Sequence, residues 1–219
     1  MNAQPAAAAE PHTIATQPAH LRRLVLTGFM GAGKTTVGHL LAVRLNWEFL
    51  DLDAYIESRS GLSVPSIFSI HGEAHFRQLE SMALASALGR SRLVLALGGG
   101  APEVLTNRLL LEQTPATSTI FLDAPFPALF DRCMMQALNP QSVPSDPTST
   151  LADNAPSMRL GHARPIFADP TAAEARFHVR HPIYRRLAHH TVQTAELTTQ
   201  QTVAAIVSQL IHAPAPLRP

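Results

Sequence analysis

The stretch Gly28-Phe29-Met30-Gly31-Ala32-Gly33-Lys34-Thr35 constrains this chain more than any other part of it. It follows the apolar run Leu24-Val25-Leu26 and precedes Thr35 to Leu45, where Val37, Leu40, Leu41 and Leu45 recur at helical spacing. The pattern G-x-x-x-x-G-K-[ST] at a strand-to-helix junction is an anion cradle. Its glycines let backbone N–H groups turn inward, and the helix that follows aims its positive dipole end at the same point. Gly31, Ala32, Gly33, Lys34, Thr35 and Thr36 are therefore candidate nucleotide-phosphate ligands. Lys34 can reach the outer phosphates, and the Thr35 hydroxyl can ligate Mg²⁺. The competing reading is a glycine-rich turn that binds nothing, and the agreement of motif with context argues against it.

The rest of the chain alternates in the same way. Glu48-Phe49-Leu50-Asp51, Leu93 to Leu97, Thr119 to Asp123 and a segment around Val192 read as strands. Helical patterns cover about Asp53 to Ser58, Val64 to His71, Glu73 to Leu88 and Pro127 to Ala137. Thr171-Ala172-Ala173-Glu174 has the capping-box pattern and is expected to open another helix. The last helix carries Val203, Ile206, Val207, Leu210 and Ile211 as one stripe. Such alternation predicts an α/β fold with a parallel sheet and right-handed crossovers.

Residues 1–20, rich in Ala, Pro and Gln, read as a disordered extension, and residues 213–219 as a frayed tail. Residues 21–212 are expected to form one domain. Within it, residues 137–161 are proline-rich and too long for an ordinary connection. With 17 Lys+Arg against 16 Asp+Glu, the net charge of +1 offers no global attraction to nucleic acid. A single cysteine, Cys133, excludes an internal disulfide framework or a cysteine-based zinc cluster. It reads as a packed small residue beside Met134. No run approaches the roughly 18 apolar residues of a membrane span, and the start lacks a secretory pattern. The expected setting is the cytoplasm, with small-molecule partners.

Acids and bases supply the second half of a candidate site. Asp51 and Asp53 follow a strand, and extended-chain alternation would put both on one side, facing the ligand crevice. One would neighbour the metal, and the other would accept a hydrogen bond or proton from a substrate hydroxyl. A helix N-cap plus a solvated acid is an equally weighted reading on spacing alone. In Gly72-Glu73-Ala74-His75-Phe76-Arg77-Gln78-Leu79-Glu80, Arg77 and Glu80 are three apart and can meet on one helix face. An arginine braced in this way is a good carboxylate receptor. Gly98, Gly99 and Gly100 end a buried strand where side chains would block a ligand. Arg164 precedes Pro165, and Arg180 precedes His181-Pro182-Ile183-Tyr184; each alone reads as a surface charge. His71 and His75 could share a metal, but the H-E-x-x-H pattern is absent. His189-His190 read as helix-end cations.

Taken in order, GFMGAGKTT, the D-x-D of Asp51 and Asp53, GEAHFR with Glu80, the glycine triplet, Arg164-Pro and R-x-P-I-Y at Arg180 resemble shikimate kinase. That family belongs to the P-loop enzymes of nucleoside-monophosphate-kinase type. The resemblance runs from about Leu24 to Ile211, interrupted by the proline-rich segment. It implies a three-layer P-loop fold with a five-stranded parallel sheet, flanking helices and a mobile lid. It also implies ATP-dependent phosphorylation of the shikimate 3-hydroxyl with Mg²⁺, by a monomer. Asp53 would hold the substrate hydroxyls, and Arg77 and Arg180 would clamp the carboxylate beside Gly98, Gly99 and Gly100. Arg164 would arrive with the lid, Arg132 would stack on adenine, and Thr35 and Asp51 would hold the metal. Lys34 and Arg164 would meet the charge of the transferred group.

Two departures stand out. The proline-rich stretch separates Arg132 from Arg164 by far more than is usual in the family, and is expected to extend the lid. An adenine-contacting Arg of some relatives is replaced here by Ala195-Glu196-Leu197. The alternatives are a kinase for another small hydroxy acid such as gluconate, and an ATP-binding regulatory module without turnover. The second would bind ATP without shikimate-dependent ADP release.

Overall fold

A computed structural model describes residues 20–138 and 169–212. Its five strands are β1 (Arg23–Thr27), β2 (Glu48–Asp51), β3 (Leu93–Ala96), β4 (Thr117–Asp123) and β5 (His190–Gln193). They form one sheet in the order β2-β3-β1-β4-β5, with every neighbouring pair parallel. β1 lies at the centre, and β1 and β3 are buried at every position, as strands covered on both faces must be. Leu26 pairs with Ala96 on one side and Ile120 on the other. β3 ends at this level while β1 runs on to Thr27 and β4 to Asp123, and the loops leaving their carboxyl ends share one edge. In an open parallel sheet that edge is where ligands bind.

Among the described residues seven helices flank the sheet: α1 (Lys34–Leu45), α2 (Leu52–Ser60), α3 (Val64–Leu88), α4 (Leu105–Gln113), α5 (Phe126–Leu138), α6 (Pro170–Leu187) and α7 (Thr199–His212). A 3₁₀ turn, Ala101–Glu103, follows the glycine triplet. The period-two alternation of β1 builds the three layers. Leu24 and Leu26 pack with Leu41 and Leu45 of α1 and Val203, Ile206 and Leu210 of α7. Val25 points the other way, toward Ile56 of α2, Ile67 and Leu84 of α3 and Leu111 of α4. Each such side chain contributes about 1.5–3 kcal/mol by leaving water.

The strand and helix expectations hold closely, with β4 starting two residues earlier than its apolar run suggests. α3 carries the break expected at Gly72, whose φ of 80° and ψ of 171° interrupt the helix between His71 and Glu73. α4 and the 3₁₀ turn have no counterpart in the sequence reading. α4 buries only Asn107 and Leu111, so its apolar period is too thin to register.

Two expectations need correction. α6 is not opened by Thr171. Asp169 is its N-cap, accepting from the N–H groups of Thr171 and Ala172, with Pro170 in the first turn. The proline pre-sets helical φ and lacks the N–H that would go unpaired there, so helix can begin two residues before the capping-box pattern. His189 and His190 do not cap a helix end. α6 stops at Leu187, Ala188 is extended, and His190 begins β5. His189 instead accepts from the Thr119 N–H through Nδ1 at 3.0 Å and donates its backbone N–H to Thr119 O at 2.8 Å. Residues 1–19, the proline-rich segment with the expected lid, and the tail lie outside the described residues.

Candidate active site

The phosphate loop sits between the end of β1 and the start of α1. Gly33 is the N-cap of α1 and supplies no side-chain cap, so the first-turn N–H groups face the loop's concavity without one. Gly31 has φ of 74°. A methyl there would collide with the Leu129 carbonyl of α5 and come within 2.9 Å of Cys133 Sγ. Only glycine permits the loop to lie so close on α5, and buried Cys133 is part of its bed. Phe29 is buried and meets Phe177 of α6 edge-on at 5.5 Å. Lys34 Nζ donates to Gly28 O at 2.8 Å and Phe29 O at 3.0 Å, which closes the loop on itself.

The two aspartates take different positions from those that strand alternation suggested. β2 ends at Asp51, and Asp53 lies in the first turn of α2. Asp51 Oδ1 accepts from the N–H groups of Asp53 and Ala54, which is the N-cap, while its Oδ2 accepts from Thr35 Oγ1 at 2.8 Å. The capping reading therefore holds for Asp51, and the same carboxylate borders the phosphate loop. Asp53 is brought to the glycine triplet instead: a methyl at Gly98 would lie 2.5 Å from its Oδ1 and 3.2 Å from Glu80 Oε1.

Arg77 and Arg180 converge on the same triplet. Arg77 Nη1 donates to Glu80 Oε2 at 2.9 Å, and its Nε and Nη2 donate to Glu73 Oε1 at 3.3 and 3.0 Å. A methyl at Gly100 would lie 2.5 Å from Arg77 Nη2, so the triplet lets the guanidinium seat against backbone. Arg180 is not a surface charge; its side chain is only 12% exposed. Tyr184, one turn further along α6, donates to Gly99 O. Phe177, Arg180 and Tyr184 therefore let one helix buttress the phosphate loop and present the second arginine. A side chain at Gly99 would lie 3.6 Å from Arg180 Nη1 and 4.0 Å from Gly28 O, the carbonyl that Lys34 holds. Phosphate loop, acid and paired arginines thus border one another.

Charge in this cluster is tightly coupled. Burial pushes Glu80 up to about 7, against the opposing pull of Arg77, with nearby Asp53 adding to the rise. Burial works to lower Arg77, but Glu80 and Glu73 overcome it and raise the guanidinium. Burial likewise raises the Tyr184 phenol. Glu80 gives a direct prediction. Its folded value lies above the usual 4.5, so between about 4.5 and 7 the folded chain holds a proton that the unfolded chain has lost. Its contribution is complete below about 4.5 and declines as pH rises toward 7. Thermal unfolding of Glu80→Gln beside the parent should show the difference moving in the variant's favour between pH 5 and 8, by up to about 3 kcal/mol. A pH-independent difference would contradict the buried, half-protonated Glu80.

Arg132 of α5 donates from Nη2 to the carbonyls of Thr194 and Ala195, tying down the loop after β5 at the point where the family's further Arg is replaced. Arg164 lies outside the described residues. The rings of His71 and His75 meet at 4.8 Å, tilted by 44°, and among the described residues no group of three or more His, Cys, Asp or Glu could hold a metal. Sequence reasoning missed Glu73, Glu103 and the Tyr184 hydroxyl. Glu73 was legible as the i,i+4 partner of Arg77. Glu103 carried no signal, because tertiary packing alone brings its Oε1 2.7 Å from Arg180 Nη2.

Comparison with known proteins bears on this arrangement. The family model for shikimate kinase matches residues 30–211. The shikimate kinase of Methylococcus capsulatus is 36% identical over 187 residues, covering 85% of this chain and 91% of its own. That of Bordetella pertussis is 41% identical over 151 residues, covering 69% of this chain and 70% of its own. Among solved structures, shikimate kinase from Acinetobacter baumannii in complex with shikimate aligns with a TM-score of 0.65 and 33% identity, over 87% of this chain and 93% of that one. The Aquifex aeolicus shikimate kinase aligns with a TM-score of 0.64 and 29% identity, over 86% and 96%.

Proposed function

The chain belongs to the shikimate kinase family, and from that premise we propose how its cleft phosphorylates the shikimate 3-hydroxyl with ATP, giving shikimate 3-phosphate and ADP. The observation that carries the reading is the junction at Gly99, which neighbours Arg180 on one side and the Lys34-held Gly28 carbonyl on the other. A hydroxy acid held by its carboxylate at Arg77 and Arg180 would put its ring between that clamp and the phosphate loop.

Asp53 then accepts the hydrogen bond of the 3-hydroxyl, and takes its proton as the oxygen bonds to the γ-phosphorus. The bond from that phosphorus to the β–γ bridging oxygen breaks, and ADP leaves. Such a reaction depends on positioning and charge neutralisation rather than on a covalent enzyme intermediate. The N–H groups of Gly31 to Thr36 cradle the phosphates, and Lys34 exchanges its loop carbonyls for outer phosphate oxygens. Thr35 and Asp51 suit Mg²⁺: two hard oxygen donors stand 2.8 Å apart at the loop's end, and this ion takes few protein ligands beside phosphate and water. When bound, the ion neutralises phosphate charge. Gly98, Gly99 and Gly100 line the substrate, Arg132 borders the base, and Arg164 completes the charge on closure. The reading includes a cytoplasmic monomer. No helix among the described residues is long and apolar enough to cross a membrane.

ADP release measured over a panel of shikimate, gluconate and quinate, with and without Mg²⁺, tests the reading. Shikimate-dependent, Mg²⁺-dependent release is expected. Preference for gluconate would reassign the substrate, and ATP binding without acid-dependent release would leave only a regulatory module.

A further inference from the structure

Glu103 belongs to none of the motifs that carry the family resemblance, yet its carboxylate stands among their side chains. Its Oε1 accepts from Arg180 Nε at 2.8 Å and lies 2.7 Å from Arg180 Nη2, so one oxygen takes the whole two-pronged edge of that guanidinium. The same oxygen is 3.9 Å from Arg77 Nη2. A carboxylate of the chain itself is therefore seated where the two arginines converge. On Arg77 the remaining partners are Glu73 and Glu80. The two guanidinium charges already face three carboxylates, and Asp53 is close enough to Glu80 to raise it further.

The parts of this contact differ in freedom. Arg180 is 12% exposed and is fixed on α6 beside buried Tyr184. Glu103 is 35% exposed and ends a short 3₁₀ turn. The backbone of that turn is pinned: Glu103 N–H donates to Gly100 O at 2.9 Å, and Arg108 Nη1 donates to the carbonyls of Pro102 and Glu103 at 2.7 and 2.9 Å. The Glu103 side chain can leave toward solvent, whereas the turn and Arg180 stay.

Building on the shikimate kinase reading, we infer that Glu103 acts through Arg180 as a stand-in for the substrate carboxylate, which must displace it to reach the clamp. Electrostatics sets the sign. A second carboxylate at the same donors meets like charge, so Glu103 weakens binding of the acid. It does so while keeping a largely buried guanidinium paired, which an unpartnered Arg180 would not be. The same competition acts on the carboxylate of the product and favours its departure. A residue that only braced Arg180 would have the opposite effect, because its loss would leave the clamp disordered.

Calorimetric titration of shikimate into the full chain and into Glu103→Gln separates these roles. The glutamine keeps size and hydrogen-bonding capacity but removes the charge. The dissociation constant for shikimate should fall about fivefold, the scale of one partly exposed charge pair. Glu103→Ala should tighten binding at least as much. The gain should shrink as salt rises through the range where the Debye length drops below about 10 Å. Shikimate methyl ester, which carries no charge to compete, should bind parent and variant alike. Unchanged or weaker shikimate binding in Glu103→Gln would overturn the inference, as would an equal gain for acid and ester. A parent chain that neither binds nor phosphorylates shikimate would instead fail the reading on which the inference rests.

Discussion

Asp53→Asn should lower kcat by about 10²–10⁴, the range assigned to a positioned proton acceptor, and leave ATP affinity nearly unchanged. The substitution is close to isosteric and spares the local fold. What holds the first turn of α2 is the Asp51 carboxylate accepting from the backbone N–H of residue 53, which asparagine keeps. The Thr35–Asp51 contact beside the phosphate loop is equally untouched. What is lost is a carboxylate beside Gly98 and Glu80, where the substrate hydroxyl would give up its proton. An amide there can still orient a hydroxyl but cannot accept its proton. Steady-state kinetics with shikimate and with ATP, beside direct nucleotide titration, read the two effects separately. Near-normal kcat would deny Asp53 the role. The variant has a second signature. Asp53 contributes to the raised value of Glu80, so the upper edge of the pH window in which Glu80 affects stability should move down in Asp53→Asn. That shift would show the two carboxylates sharing one field even if turnover is too slow to measure.

The difference between what the sequence revealed and what it hid follows from the range of the interactions. The geometry of the phosphate loop was legible because a local glycine pattern encodes its turns, as at Gly31 and Gly33 with their positive φ. The Arg77–Glu80 contact was legible because helical geometry sets it. The three layers were legible in β1, where Leu24 and Leu26 alternate with Val25. The aspartates mark the boundary. Their proximity to the ligand edge followed from topology, but alternation carried the extended chain on to Asp53, two residues past the end of β2 at Asp51. Asp51 has a side chain that ends the strand by capping α2. Arg180 looked like a solvated charge because nothing near it in sequence is acidic enough to pair with it. Its partner, Glu103, is 77 positions away and arrives on a turn that has no apolar period of its own. The cap of α6 was misplaced for a related reason. Thr171 and Glu174 satisfy the capping pattern, but Asp169 before Pro170 serves as N-cap two residues earlier, and the proline's fixed φ favours the earlier start.

Lys34→Ala tests the other half of the cleft and should reduce kcat/KM for ATP by about 10²–10³, the loss that follows removal of one preorganised donor to developing charge. Lys34 has two tasks that the variant separates in magnitude. In the structure its ammonium bonds Gly28 O and Phe29 O, so it shapes the loop. During transfer it would leave those carbonyls for the phosphate oxygens that gain charge. The shaping task is shared. Gly31 is locked against Leu129 and Cys133, and Phe29 is buried against Phe177, so the loop should survive loss of the lysine with only a small change in thermal stability. The charge task has no substitute among the described groups at the loop, since Arg77 and Arg180 are committed to carboxylates on the far side of Gly99. ATP-dependent kinetics should therefore collapse while shikimate binding, measured by titration without nucleotide, stays within about twofold of the parent, as expected for an interaction made chiefly in the transition state. Unchanged ATP kinetics would remove the phosphate-loop assignment. Loss of shikimate binding together with ATP kinetics would show that the two halves of the cleft are one folding unit rather than two adjoining sites.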